Sequence, residues 1–225
     1  PFTSVVNLNL LAQYTAQIKA QPALANLPHD RWPEVVGQAV SWGLLGGHEV
    51  KGYVRMQPTL AYFLRHGTTD TEQGAAVRTA FRLHYDQVGA SINQLLQSKQ
   101  PQERQLGFLL AHLEYENLMT GLFLQLEARQ PILSFYQALD GYWETTKDVA
   151  RGIEVGSQIM ALIQTESMSV LSDARRFDLL RVSGDLGDRL MAQMHYPKAA
   201  AAHENALVVI DGFREVSQEQ KASWK

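Results

Sequence analysis

Apolar residues near the start of the chain fall at Val6, Leu10, Tyr14 and Ile18. That i, i+4 spacing places side chains on one face of an α-helix. It predicts a first helix here, ended by Pro22 and the run "NLPHDRWP". A second helix is expected from Pro33, whose fixed φ suits a first turn, with Val36, Val40 and Leu44 along its stripe. The pattern then changes. Glycines at 46, 47 and 52 bracket short stretches, and Tyr53, Val54 and Met56 suit a strand. A small two-stranded hairpin follows as the only β-structure expected. After Pro58, "TLAYFLRH" reads as a helix that stops near Gly67. Helix, helix, hairpin, helix is the outline of a winged helix, assigned to residues 1–66.

The polar stretch "GTTDTEQGA" reads as a boundary, and residues 67–225 keep the helical period throughout. Val77, Phe81, His84, Val88, Ile92 and Leu95 form one stripe, ending at "QSKQPQ". One long helix is expected over 102–128, and further helices over about 148–164, 167–193 and 197–215. Within them Leu186-Gly187 is followed twelve residues later by Ala199 and then by Ala206. These are spacings of the tetratricopeptide (TPR) repeat, in which small residues let the two helices of a hairpin approach closely. Leu190 and His203 stand where that repeat commonly has aromatics. A degenerate earlier copy places Trp143, Gly152, Gly156 and Ile159 at corresponding positions. The fold class expected is all-α: a winged-helix-like segment, then a short TPR-like α-solenoid of helical hairpins. On the helix from 177, Asp178/Arg181, Arg181/Asp185 and Asp185/Arg189 are three or four apart, as on a solvated salt-bridge face.

Composition narrows the function classes. The 225 residues are 45% hydrophobic and carry a formal net charge of -3, with no basic run. A nucleic-acid or anionic-membrane partner is therefore not expected, since both attract clustered Lys and Arg. The absence of cysteine removes disulfides, thiolate metal sites and a Cys nucleophile. No apolar run approaches the ~20 residues needed to span a bilayer, and the first residues lack the marks of a signal peptide. The chain begins at Pro1 already patterned, so it reads as a piece of a longer, cytoplasmic protein.

Candidate chemistry is sparse. "GLLGGHEVKGY" is Gly-rich, but Lys51 is followed by Gly52 rather than Ser or Thr, so no Walker-type phosphate loop is expected. There is no G-x-S-x-G nucleophile elbow. Seven histidines are scattered without an H-E-x-x-H pair. His112 and Glu116 could share a helix face, but Glu114 would point about 200° away, and neither a metal nor another cofactor is expected. In "AHLEYENL" Glu116 and Asn117 are expected to bond backbone or a neighbouring helix, and Glu114 to face solvent. Asn117, Gln137, Arg151 and Gln158 are polar positions that a helical groove would display. The helix "PEVVGQAVSWGLL" carries no basic side chain to meet phosphates, which weighs against the alternative function, a DNA-binding transcriptional regulator using the winged helix.

Three stretches carry a resemblance: "WGLLGGHEVKGYVRMQPTLAYFLR", "EYENLMTGLFL" and "DGYW". Over about residues 33–213 the chain resembles the middle and C-terminal region of STAND-type signalling ATPases. The resemblance implies a winged-helix end and a helical-repeat sensor, with the ATPase module absent from this chain. It implies a non-catalytic regulatory segment whose partners are a protein or peptide and other domains of the same full-length chain. In that family the winged-helix position held here by Gln57 is a His that contacts nucleotide. Gln57 is thus the nucleotide-sensing candidate, although it cannot become a cation. The repeat positions carried over are Leu186, Gly187, Ala199, Ala206 and Trp143.

Overall fold

A computed structural model describes residues 2–62, 71–166 and 171–213. The chain is mostly helical with one small antiparallel sheet. It divides into two compact units, Pro1–Leu124 and Gln125–Lys225. The boundary expected at residues 66 and 67 lies outside the described residues.

The first unit opens with strand β1 (Val5–Asn7), followed by helices α1 (Leu11–Lys19) and α2 (Trp32–Ser41). Strands β2 (Leu45–Gly47) and β3 (Tyr53–Met56) complete a sheet of order β1-β3-β2. The expected two-stranded hairpin is therefore a three-stranded sheet, and Val5–Asn7 is strand rather than helix. Local pattern left both conformations open, because Val6 belongs equally to a helical stripe and to a β-branched pair. Pairing with β3 decides it: Val6 lies opposite Val54 and Val5 opposite Arg55. The Asn7 side chain then accepts from the Asn9 N–H at 3.1 Å and starts a short 3-10 turn, so α1 begins only at Leu11. Gly52 closes the β2–β3 connection with φ of +90°, which a side chain rarely adopts.

Beneath the sheet lie Val6, Leu45, Val54, Met56 and Ala61, with Val36 and Ala39 of α2 packed against them. Helical residues resume over 58–62. The unit continues through α3 (Glu72–Leu96), α4 (Pro101–Leu113) and α5 (Tyr115–Glu127), and the unit boundary falls within α5. Thr71 caps α3 by accepting from the Gly74 N–H at 2.9 Å. The buried side of α3 carries Phe81, His84, Val88 and Ile92, as the stripe predicts. Phe2 meets Tyr14 and Phe81 edge to face, with ring centroids 5.2 and 5.1 Å apart. The single helix expected over 102–128 is interrupted at Glu114.

The second unit contains two helical hairpins. The first is α6 (Leu133–Thr146) with α7 (Val149–Ile163), and the second is α8 (Asp173–Ala192) with α9 (Tyr196–Asp211). Asp148 and Ser172 cap α7 and α8 by accepting from the N–H three residues on. α8 packs along both α7 and α9. Phe135, Tyr136, Leu139 and Trp143 of α6 are buried, as are Val155 and Ile159 of α7 and Leu179 and Val182 of α8. Each such side chain contributes roughly 1.5–3 kcal/mol when fully removed from water. No helix among the described residues is long and apolar enough to cross a membrane.

Candidate interaction cleft

In the second unit, α6 and α8 and the start of α7 border a cleft of about 340 Å³. Trp143, Glu144, Lys147, Val149, Asp185, Asp188 and Arg189 line it. Helical spacing supplies the two sides. On α6, Tyr136, Asp140 and Trp143 stand at i, i+4 and i+7; on α8, Arg181, Asp185 and Arg189 stand at i, i+4 and i+8.

The two helices are joined by a half-buried ion network. Arg189 donates to the Asp140 carboxylate and to the Tyr136 hydroxyl, the latter at 3.3 Å. Arg181 Nη2 lies 3.8 Å from the second Asp140 oxygen, and its Nε lies 2.9 Å from Asp185 Oδ2. That Asp185 oxygen is covered, yet it receives no aligned hydrogen bond. The solvated face expected from the i+4 spacing is thus a bridge between helices, because Arg189 turns across to α6. Gly152 permits the crossing, since a Cβ there would stand 2.7 Å from Arg189 Nε. Asp178 is buried on the same helix and accepts from the Ile132 N–H at 3.0 Å.

Burial pushes the Asp185 carboxyl up to about 6; Asp140 and Glu144 add to the shift, and Arg181 and Arg189 oppose it. Burial also works against the Arg189 cation, but the hydrogen bond and charge of Asp140 outweigh it and hold the guanidinium above its usual range. At the rim, Glu144 and Lys147 are exposed and have no ion-pair partner among the described residues. Lys147 ends α6 in the left-handed conformation, φ 61°, where glycine or asparagine is usual.

The proposed repeat positions fall together in this unit. Leu186, Gly187, Ala199 and Ala206 are buried where α8 and α9 pack, and Trp143 is 1% exposed on α6. A Cβ on Gly187 would stand 2.5 Å from the His203 ring, so its smallness admits that side chain. Gln57 lies in the first unit. Its N–H donates to the Leu44 carbonyl at 3.1 Å and its carbonyl accepts from the Leu60 N–H at 3.0 Å, joining β3 to the following helical turn.

The stretch "AHLEYENL" also folds differently from its helical projection. Glu114, expected in solvent, is 1% exposed, whereas Glu116 is exposed. The break after Leu113 rotates Glu114 inward, where its Oε2 accepts from Tyr85 OH at 2.8 Å and from Asn117 Nδ2 at 2.9 Å. Asn117 also donates to the Val5 carbonyl at 3.0 Å and accepts from the Thr3 N–H at 3.2 Å. It closes the outer edge of β1 and is not a groove residue. Arg151 and Gln158 are exposed on α7, both turned to Glu154.

Tyr136, Asp140 and Lys147 were not singled out by sequence. Their one legible signal is the match between acids spaced along α6 and arginines at the same period on α8. Comparison with protein-family models, curated proteins and solved structures found no match to this chain.

Proposed function

We propose that this chain is a non-catalytic regulatory or sensor segment of a multidomain cytoplasmic signalling protein, which binds a protein or peptide partner on a TPR-like helical scaffold. The observation that carries the reading is the cleft formed by α6 and α8, the first helices of two successive hairpins. Solenoids of helical hairpins present such inner helices to their ligands. The order β1–α1–α2–β2–β3, with one sheet embracing two helices, supports the winged-helix-like assignment of the first unit. The hairpins begin at Leu133 and Asp173, forty residues apart, which is wider than the ~34 of the TPR period. The likeness is therefore in the hairpin and its small residues rather than in a strict repeat. In such a segment partner binding would shift an equilibrium between assemblies, and the size of that shift equals the difference in affinity for the two states.

The test is selection of a random peptide display library on the full chain. Enriched peptides are expected to lose binding at least about tenfold, or ~1.4 kcal/mol, on the charge reversal Glu144→Lys with Asp188→Lys. They should keep it on Lys19→Glu, a charge reversal on α1 of the first unit. An empty selection, or peptides indifferent to the cleft pair, would end this reading.

A further inference from the structure

Helix α2 of the first unit turns only one side toward its neighbours. None of its residues is buried. Val36 and Ala39 lean on the sheet, and the Trp32 indole N–H donates to Thr15 Oγ1 at 2.6 Å. Away from that side, Arg31, Val35, Gln38 and Trp42 follow one another at i, i+4, i+7 and i+11, which is a single stripe of a helix. All four are exposed, Val35 at 50% and Trp42 at 71%. Arg31 and Trp42 are the caps of α2, and both keep near-helical dihedrals, so the stripe runs through them. No charged side chain occurs from Val35 to Gly47.

Symmetry and charge together select the occupant. Val35 and Gln38 flank the midpoint of α2, and Arg31 and Trp42 stand equally far beyond them on either side. A two-fold axis through that midpoint, with two such helices antiparallel, sets Arg31 of each copy against Trp42 of the other and Val35 against Gln38. A homodimer interface requires this, because one patch must complement itself. The charge on the stripe agrees. Arg31 is its only cation, and it would meet an indole rather than a second cation, so the stripe does not repel its own copy. Arg31 also donates through Nε and Nη2 to Glu34, at 2.8 and 2.6 Å. That pair balances its charge and holds the guanidinium plane while leaving the flat face open. Stacking of such a plane on an indole is a favourable cation–π contact.

We infer that α2 is a self-association surface whose partner is a second copy of this chain, the two α2 helices lying antiparallel with reciprocal Arg31–Trp42 contacts. Arg31 and Trp42 are about 16 Å apart along the axis. One helix pair of that length covers less than the ~800 Å² per partner of a stable dimer. The dimer is therefore weak, forming at about 0.1 mM. The surface belongs to the first unit and the inference does not rest on the cleft of the second, so either can fail alone.

The experiment is sedimentation equilibrium of the full chain from about 10 µM to about 1 mM. The mass is expected to rise from one chain toward two. Trp42→Ala and Arg31→Gln should each weaken association about tenfold, whereas Trp42→Phe and Arg31→Lys, which keep a ring and a cation, should retain part of it. Arg31→Gln should cost little more in the Trp42→Ala background, because the two groups meet each other. Val40 is also exposed but stands about 140° around the helix from Val35, and Val40→Thr should change nothing. These side chains are all exposed, and circular dichroism checks that each variant keeps its fold. The chain has no cysteine, so Gln38→Cys places a single thiol near the axis. A short bismaleimide should join two copies through it, and should not join copies of Gln102→Cys, whose thiol lies on α4. A single-chain mass throughout the range overturns the inference. So does a dimer indifferent to Trp42→Ala and Arg31→Gln, one weakened as much by Val40→Thr, or one crosslinked equally through residue 102.

Discussion

At the scale of single residues, half-buried Asp185 and buried His84 give the protein opposite responses to pH. Asp185 titrates near 6 in the folded state, against about 3.9 for an unperturbed Asp. The native state therefore holds this proton more tightly than the unfolded chain does. The favourable contribution is complete below the unfolded value and is lost as pH rises through 6. By neutral pH the ionised carboxyl costs on the order of 3 kcal/mol. Asp185→Asn should accordingly stabilise the protein in urea at pH 7.5 and change little at pH 4. A gain of equal size at both values would refute the account.

His84 works the other way. It is 2% exposed beside the rings of Tyr14 and Tyr85, and its Nδ1 has no hydrogen-bond partner. Burial lowers it to about 4, against about 6.5 unperturbed. Its contribution is intact above 6.5 and is lost as pH falls toward 4, on the order of 3 kcal/mol in all. His84→Phe should keep the ring packing and flatten the stability profile between pH 4 and 6.5. An unchanged acid limb would assign the loss to other groups.

At the scale of elements, the ends of the helices carry more information than their middles. The turn at Lys147 joins α6 to α7 while Asp148 caps α7. Lys147→Gly relieves the left-handed backbone and should raise unfolding free energy by about 1 kcal/mol, whereas Lys147→Ala should leave it nearly unchanged. Urea midpoints measure both, and a glycine variant no better than alanine would show that the turn is unstrained. The break at Glu114 matters as much. One residue of non-helical geometry turns a carboxylate from solvent toward Tyr85 and frees Asn117 to close the edge of β1. An unpaired edge would otherwise expose donors and acceptors to other chains. The α8 stripe was readable as periodic charge, but not its pairing with α6, because sequence gives spacing along a helix and no distance across to its neighbour.

At the scale of the whole molecule, the two units divide the two kinds of buried polar chemistry. The first holds a network built from Glu114, Asn117 and Tyr85, which fastens the sheet to helices; the second holds the ion network that borders the cleft. Buried polar groups of either kind are tolerated only when partners satisfy them. The proposed regulatory reading stands or falls with the peptide selection. The low net charge and absence of basic runs give the chain no strong long-range field.

Local spacing alone carried the helical period of the described residues from 72 onward, the stripe of α3, the hairpin around Gly52 and the small residues Gly187, Ala199 and Ala206. Each depends on contacts within a turn or between adjoining helices, which spacing encodes. The tertiary structure decided that Val5–Asn7 is a strand, that Glu114 points inward and that Arg189 reaches Asp140. A strand needs a partner from residues 53–56, a buried carboxylate needs Tyr85, and an arginine chooses between helix neighbours according to which carboxylate is shielded from water. Those choices are made by distances through space between residues far apart in the chain, and no local pattern contains them.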